Sequence, residues 1–436
     1  MQPAAGLTDK LLNKITTHPV EKRNVRSLSL NMMIKSADMP LFSGTELQAF
    51  QVKLGLATSQ MGMIASFGQI AAVISYFLLM GVADRISNRV RVYSIFTASM
   101  AVYPALLIFL SLAPDWMRHP GIAVPVMAIG TISESVLISF MALIFSALFV
   151  RAISAGIQGK FMSIMGVGGG LLGLFCGYIS SNALLYLGYP HGFTVAFVMG
   201  AILLLIAAIV VKNVKEIPEL STGAGSKSIS PIKAFRSVVG TREFKLLLLP
   251  NTLRGLCGGA SYFAMATGMK QLGLGVEFAG YTTMLIFLGG MIGTASIGFT
   301  VDRYGAGKVL LFSNLCMAVS LMGVVLAPSA WLFLIFFFTM YISFSCEGIT
   351  IPLAHYVIVP QQIIGAFSAV RLMLLYGTGA IAVIVNGYLL DIFGSVLVFS
   401  INALINVVTG ILWLYAFNKG HKPQPVAALA QSGNNH

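Results

Sequence analysis

The stretch DRISNRVR, residues 84–91, lies between two long apolar segments and returns in altered form as DRYGAGK, residues 302–308. Each copy is a short basic loop with an aspartate at its head. The second copy begins 218 residues after the first (302 − 84 = 218), which is half the length of the chain. A feature that recurs at half the chain length indicates internal duplication. The two loops therefore predict two related halves.

The composition predicts the setting of those halves. Of the 436 residues, 57% are hydrophobic and only 9% are charged, whereas a soluble domain carries about 25% charged residues. Because so little polar surface is available, the chain is expected to be a polytopic membrane protein. Its four cysteines lie inside apolar runs, so neither a disulfide framework nor a metal site is predicted, and no cofactor is expected.

Hydropathy predicts twelve helical spans, each near the ~20 residues that cross a bilayer. The first span is the least apolar of them, because it contains Lys35, Asp38 and Glu46. We place the spans at residues 27–50, 59–80, 92–113, 121–148, 162–186, 191–212, 244–268, 277–299, 308–328, 329–354, 365–391 and 395–418.

The spans group into two six-helix bundles, at residues 27–212 and 244–418, joined by a polar linker at 213–243. Residues 1–26 and 419–436 form the expected N-terminal and C-terminal tails, and 231–236 could form a short surface helix in the linker. The expected fold class is an all-α membrane protein with twelve transmembrane helices in two pseudo-symmetric six-helix bundles. Such internal repeats are typical of transporters.

The distribution of lysine and arginine predicts the orientation. If both termini lie inside, the cytoplasmic segments hold 21 of the 27 basic residues, which agrees with the positive-inside rule. This predicts a multi-pass protein of the cytoplasmic (inner) membrane with both tails in the cytoplasm. The same bias explains the net charge of +13, so the lipid bilayer is the expected partner, no nucleic acid is expected, and a monomer is the expected state.

The two loops also carry a recognisable pattern. The motif G-x-x-x-D-R-x-G-x-[RK], placed after the second and the eighth span, resembles the signature of the major facilitator superfamily. The second copy matches it through Gly298, Asp302, Arg303 and Gly305, with Lys308 one residue after the final basic position, while the first copy has Met80 and Ser87 at its two glycine positions. The resemblance covers about residues 27–418 and implies the fold of that superfamily, with transport by alternating access.

The resemblance further implies that the two aspartates of the loops latch helix ends of the opposite half. A carboxylate near a helix N-terminus meets a partial positive charge, which makes such a latch physically sound. The alternative is that the loops only anchor the topology. The predicted latch residues are Asp84, Arg85, Arg89, Asp302, Arg303 and Lys308.

Six ionisable residues lie well inside the predicted spans: Lys35, Asp38, Glu134, Arg254, Glu347 and Arg371. A charge at the centre of a helix costs roughly 2.5–3.5 kcal/mol on insertion scales, so each needs a partner or a wet cavity. Three acids and three bases predict a central aqueous cavity with internal pairing. Counting along the helices places Glu347 and Arg371 at one depth, so we expect them to form a buried ion pair.

Candidate substrate ligands lie on the first and seventh spans. Lys35 corresponds to position 253 of the second half, one residue from Arg254. This pair resembles the paired basic residues of organophosphate:phosphate antiporters and implies an anion site. The alternative is that Lys35 pairs only with Asp38, at i,i+3 on one helical face. Arg254 is then the better candidate, and Tyr262 and Tyr376 are candidates to stack on a ring-shaped substrate, or they serve packing.

Asp38 and Glu134 are the candidates for proton coupling. Acids on the first and fourth helices are similar to those of some proton-coupled sugar symporters, and a desolvated carboxyl can load and release a proton as water access alternates. The alternative is a structural role, Asp38 pairing with Lys35 or Glu134 with Arg254. Glu46, near the outer end of the first span, is expected to be solvated and receives no role.

These observations predict a secondary active transporter that moves a small polar or anionic organic solute, coupled to protons. The alternative is a drug or metabolite efflux antiporter. The glycine-rich stretch 166–177 lies in a span without the proline that such antiporters carry in a glycine-proline motif, which lowers the weight of that alternative. No His/Cys/Asp metal cluster or nucleophile motif occurs in the sequence, so an enzyme is not expected. No ATP-binding P-loop occurs either, so primary active transport by this chain alone is not expected.

Overall fold

The computed structural model describes residues 18–79, 86, 88–154, 157–217, 231–359 and 364–420, and these residues are overwhelmingly helical. Before the linker, the helices are α1 (Pro19–Ser43), α2 (Thr45–Lys53), α3 (Thr58–Leu79), α4 (Arg89–Ser99), α5 (Val102–Leu112), α6 (Asp115–Arg118), α7 (Pro120–Ala152), α8 (Gln158–Leu187) and α9 (His191–Val211). After it come α10 (Pro231–Val239), α11 (Arg242–Ser261), α12 (Ala264–Leu272), α13 (Glu277–Tyr304), α14 (Ala306–Leu326), α15 (Ala330–Ile358), α16 (Ile364–Phe393) and α17 (Ser395–Gly420).

Ten segments of this described part are long and apolar enough to cross a membrane, with α4 and α5 together forming one of them. The first and seventh predicted spans are not among the ten, because their helices are too polar. Each of these two spans is also divided into two helices. Counting α1 with α2, and α11 with α12, as one crossing each, the architecture is compatible with the twelve predicted spans. The all-α membrane fold expected from the sequence is confirmed.

The two divided spans break at equivalent places. Gly44 separates α1 from α2, while Tyr262 and Phe263 separate α11 from α12. Gly44 and Tyr262 are 218 residues apart (262 − 44 = 218), the same offset that relates the two basic loops. The internal duplication therefore extends to the irregular backbone. Non-helical backbone at membrane depth occurs where it is enclosed by protein or lines a cavity.

Two long helix pairs join the helices before the linker to those after it. Helix α3 packs against α16, and α8 packs against α13. The glycines of α8 permit the second contact, because a Cβ at Gly173 would overlap the ring of Phe287 and one at Gly170 would overlap Met291. The glycine-rich stretch thus serves close helix approach.

The first helix begins at Pro19, eight residues before the predicted start of the first span. Polar and charged residues at the start of α1 placed the predicted start too late along the chain. One of them, Arg23, donates to the carbonyl oxygen of Asn213 at 2.7 Å. In addition, Asn24 donates to the carbonyl oxygens of Ala152 and Lys215. The polar start of α1 is therefore held against the segment that follows α9.

The bundle has two ends, which we call the linker face (the helix ends near Val211 and Pro231) and the opposite face (the helix ends near Lys53 and Leu272). At the opposite face, hydrogen bonds join the helices before the linker to those after it. Thr45 bonds to Thr283 at 3.0 Å, and Thr58 donates to the carbonyl oxygen of Gly387 at 3.2 Å. Helix α2 also packs there against α12 and α13. The structure is therefore closed at the opposite face.

Candidate functional site

A buried ion pair lies between α11 and α15. Arg254 Nε is 2.5 Å from Glu347 Oε2, and the side chains are 10% and 0% exposed. The guanidinium also lies over the ring of Phe344, 5.0 Å from its centroid. The pairing of Glu347 with Arg371 that the sequence suggested is therefore wrong, since Glu347 is engaged by Arg254 instead.

The wrong pairing has a structural cause. The prediction assumed that consecutive antiparallel helices are neighbours, but α15 packs along α13 and α14, whereas α16 packs along α3 and α11. Equal depth along the membrane normal did not imply contact. The charge of Arg371 acts instead on Tyr76 of α3, on Tyr376 of its own helix and on His355.

Lys35 contacts groups of the first half. Its Nζ lies 5.5 Å from the centroid of Tyr93 and 3.9 Å from the sulfur of Met141. Asp38, which is fully buried, interacts electrostatically with Lys35. Lys35 thus lies beside a carboxyl of its own half, as Arg254 does in the second half.

Glu134 lies where the two halves meet. It is located near the middle of α7, is 5% exposed, and its Oε1 has no hydrogen-bond partner among the described residues. Its charge acts on Tyr103 of α5 and on Tyr262, at the break between α11 and α12. The Tyr103 hydroxyl in turn accepts a hydrogen bond from Thr131 at 3.0 Å. A buried carboxyl of one half therefore lies within electrostatic reach of the Tyr262 side chain in the other.

A second contact between the halves is aromatic. The rings of Tyr76 and Tyr376 stack at a centroid distance of 5.9 Å and an interplanar angle of 20°. Nearby, the side-chain oxygen of Gln69 points at Gly379 and has no hydrogen-bond partner within the described residues. The structure thus brings Tyr376 together with polar and aromatic groups of α3, as a site for a polar ring would require.

The predicted latch is only partly visible. Asp84 and Arg85 lie outside the described residues, as does the side chain of Asp302, whose backbone belongs to α13. Arg89 is buried and pairs with Glu216 at 3.3 Å, and Arg151 approaches the same carboxylate at 3.8 Å. Arg303 lies over the ring of Tyr304, and Lys308 is exposed. The latch therefore stays a prediction.

Asp391 is a residue of functional interest that the sequence analysis missed. It belongs to the last turn of α16, and its carboxylate accepts from the backbone N–H of Thr58 at 3.2 Å and from that of Ser59 at 2.9 Å. The Thr58 hydroxyl donates to it as well. A carboxylate of the second half thus caps the N-terminus of α3 in the first half. Only the contact of α3 with α16 reveals this, and no local sequence signal does.

Glu46 was expected to be solvated, and this is wrong. It is 0% exposed, and its Oε2 accepts a hydrogen bond from the hydroxyl of Ser180 on α8 at 2.7 Å. Its neighbour Thr45 bonds across the halves to Thr283. The kink at Gly44 redirects the chain, so a residue counted as lying near the membrane surface is enclosed between α2, α8 and α13.

Comparisons with known proteins identify the fold. The family model of the Major Facilitator Superfamily matches residues 28–359 and 252–434. Among solved structures, the inward-open xylose transporter XylE from E. coli superposes with a TM-score of 0.69 at 14% identity, over 94% of this chain and 98% of that chain. The nucleoside transporter NupG superposes with a TM-score of 0.65 at 16% identity, over 92% and 99%.

Similarity to a curated protein is more limited. A D-xylose transporter of Levilactobacillus brevis is 27% identical over 134 residues, which is 31% of this chain and 28% of that protein. The alignment thus spans less than a third of the relative. The match of the family model, in contrast, covers nearly all of the described helices. The chain belongs to the major facilitator superfamily.

Proposed function

We propose that the protein is a secondary active transporter that moves a small polar organic solute by alternating access, coupled to protons. The observation that carries the proposal is the position of Glu134. This buried carboxyl of the first half lies within electrostatic reach of Tyr262, at the helix break of the second half. We infer that a proton on Glu134 changes the electrostatic interaction between the two halves beside this helix break.

The balance of charge favours a neutral solute over an anion. Arg254 is neutralised by Glu347, and Lys35 lies beside Asp38. To bind Arg254, an anion would have to displace the carboxylate of Glu347, and breaking a buried ion pair costs free energy. A neutral solute that only accepts and donates hydrogen bonds leaves the ion pair intact, so its binding does not carry this cost. Of the two solute classes expected from the sequence, the polar uncharged one is the better supported.

The aromatic pair and the nearby amide suit such a solute. The stacked rings of Tyr76 and Tyr376 offer flat surfaces, and Gln69 offers an unengaged acceptor. Polyhydroxylated solutes and nucleosides use both kinds of contact. This agrees with the relatives, which are named as transporters of xylose and of nucleosides. The glycine-rich stretch of α8 is used for packing on α13, so it gives no support to the efflux alternative.

The proposed setting is a cytoplasmic membrane with the linker face inside. Basic residues are concentrated at that face, where Arg23, Arg89 and Arg151 lie at or beside helix ends, as the positive-inside rule requires. In this orientation the structure is closed toward the outside. We propose that the protein functions as a monomer with its two tails in the cytoplasm and with H⁺ as the coupling ion.

The test is uptake into proteoliposomes with D-xylose and uridine as the probes. The parent protein should accumulate one of them when a proton gradient is imposed, and a protonophore should abolish the accumulation. Glu134→Gln should retain exchange of labelled for unlabelled solute but lose accumulation, because exchange requires no proton to be carried. Accumulation that is unchanged in Glu134→Gln and with the protonophore would contradict proton coupling through this residue.

A matched control is Glu243→Gln. Glu243 is a carboxyl in the first turn of α11 and is partly exposed, so its replacement should leave both exchange and accumulation near parental values. Binding without transport is measured separately by thermal stabilisation of the purified protein. If neither probe stabilises the protein or enters the vesicles, the proposed solute class is wrong.

A further inference from the structure

The closed opposite face contains a carboxyl with no ion-pair partner among the described residues. Glu46 lies in the first turn of α2, and its side chain is fully enclosed. Ser180 on α8 donates to Oε2 at 2.7 Å, whereas Oε1 has no hydrogen-bond partner in the part of the chain that the structure describes. The enclosure is built by both halves, since α2 packs against α12 and α13.

The groups around Glu46 do not compensate a negative charge. None of the ion pairs within the described residues includes it. On α9 the contacts of α2 are apolar, through Phe193 and Phe197 against Phe50. The surrounding helices carry several charged and titratable groups. They include the buried Asp38 and the partly buried Lys35 on α1, Cys176 on α8 within electrostatic reach of both acids, the exposed Lys53 at the end of α2, the exposed Lys270 on α12, and the partly exposed Glu277 and exposed Tyr281 on α13.

These surroundings favour the neutral acid while the face is closed. An enclosed carboxylate loses its hydration, and the neutral hydroxyls of Ser180 and Thr283 do not replace it. The partial positive charge at the N-terminus of α2 offsets only a small part of that loss. When α2 separates from α12 and α13, water reaches the carboxyl and the ionised form becomes favourable again.

We propose that Glu46 is a proton-binding site that takes up a proton as the opposite face closes and releases it when that face opens. This inference rests on the proposed alternating access and adds a second carboxyl, remote from Glu134, to the proton chemistry. No bond other than O–H forms or breaks: the proton comes from water on the opposite face and returns to it. Acid on that side therefore favours the closed face.

The test measures the closure directly. Lys53→Cys and Lys270→Cys place one label on each half at the opposite face, at exposed positions, after the partly exposed Cys316 and Cys346 are replaced by alanine. Distances between spin labels are measured in lipid nanodiscs over a series of acidic to alkaline buffers. For one linked proton, the ratio of short to long distances should rise by up to about tenfold for each unit of decreasing pH.

Three variants identify the carboxyl that binds the linked proton. Glu46→Gln should keep the short distance at every pH and lose the slope, because its neutral amide needs no proton to be enclosed. Glu277→Gln, a carboxyl of the same face, is the matched control and should keep the parental slope. Glu46→Asp should keep a slope with a smaller closed fraction, since the shorter side chain loses its reach to Ser180.

Several outcomes would overturn the inference. If Glu46→Gln kept the parental pH dependence of the distance ratio, the inference would be wrong. If only Glu134→Gln lost that pH dependence, the linked proton would be assigned to Glu134 at the centre of the bundle instead. A flat response in Glu46→Asp would also contradict it, and this variant remains informative if Glu46→Gln does not fold. If the parent shows one distance at every pH and with every solute, the failure lies instead in the alternating access itself.

Discussion

The ion pair of Arg254 with Glu347 provides the sharpest test of the energetics inside the bundle. The two atoms are 2.5 Å apart, and the pair is enclosed, with Glu347 fully buried. In Glu347→Gln, the guanidinium stays charged and loses its counterion. Breaking a buried pair by removing one partner costs about 3–5 kcal/mol. Arg254→Gln leaves the carboxylate behind and should cost a similar amount, unless the carboxyl takes up a proton.

The double variant Arg254→Gln/Glu347→Gln should recover most of this loss. Replacing both charges by neutral amides removes the desolvation cost together with the attraction, and such replacements are often close to neutral. The two single losses sum to about 6–10 kcal/mol, so a nearly neutral double variant gives a coupling free energy of roughly 5 kcal/mol or more in the double-mutant cycle. This is well above the ~0.5 kcal/mol within which distant sites are additive.

The assay is reversible unfolding in mixed micelles, with Glu243→Gln at a partly exposed position as the control. Because the proposed partner is Arg254, a third single variant, Arg371→Gln, should show little coupling to Glu347→Gln. Two results would refute the pairing of Arg254 with Glu347. One is that each single variant unfolds with a free energy within about 1 kcal/mol of the parent; the other is that Glu347→Gln couples more strongly to Arg371→Gln than to Arg254→Gln.

Three further predictions concern contacts between the halves. Asp391→Asn should weaken the cap on α3 and shift the opposite face toward the open state by about 1–2 kcal/mol, or roughly five- to thirtyfold. The shift is measured with the spin-label pair at positions 53 and 270, and an unchanged population of the open state would show that this cap does not hold the face closed. Gly173→Ala should destabilise the protein by about 1–3 kcal/mol, because the added methyl overlaps Phe287. Adding Phe287→Leu should restore part of the lost melting temperature. If Gly173→Ala alone were as stable as the parent, the close approach of α8 and α13 would be contradicted. Tyr376→Ala should weaken solute binding by roughly 1 kcal/mol in thermal-shift titrations, whereas Tyr388→Ala on the exposed face of α16 should not, and equal effects of the two would argue against a stacking site.

The fold was readable from the sequence because its signals are long-range averages. Apolar length, the basic loops at 84–91 and 302–308 and the bias of basic residues each depend on many positions. The same averaging hid the divided helices. Hydropathy averaged over a window does not show that the helices break at Gly44 and Tyr262. These two positions are nevertheless related by the same 218-residue offset as the basic loops.

The site was only partly predictable because pairing depends on which helices touch. Counting along helices placed Glu347 and Arg371 at a common depth but carried no information about lateral neighbours, and the neighbour of Glu347 proved to be Arg254. Asp391 was missed for a related reason, since its partner is a helix N-terminus more than 300 residues earlier in the chain. Glu46 was misjudged because distance from the end of a span was taken as exposure.

The central claim is that the two faces open alternately, and the direct measurement is a pair of distances in one preparation. One label pair lies at the opposite face, at Lys53→Cys and Lys270→Cys, and the other lies at the linker face, at Asn213→Cys and Tyr304→Cys, both exposed positions. On addition of the transported solute and on changes of pH, the account predicts that one distance lengthens as the other shortens. Distances that remain fixed, or that lengthen together, would contradict alternating access in this protein.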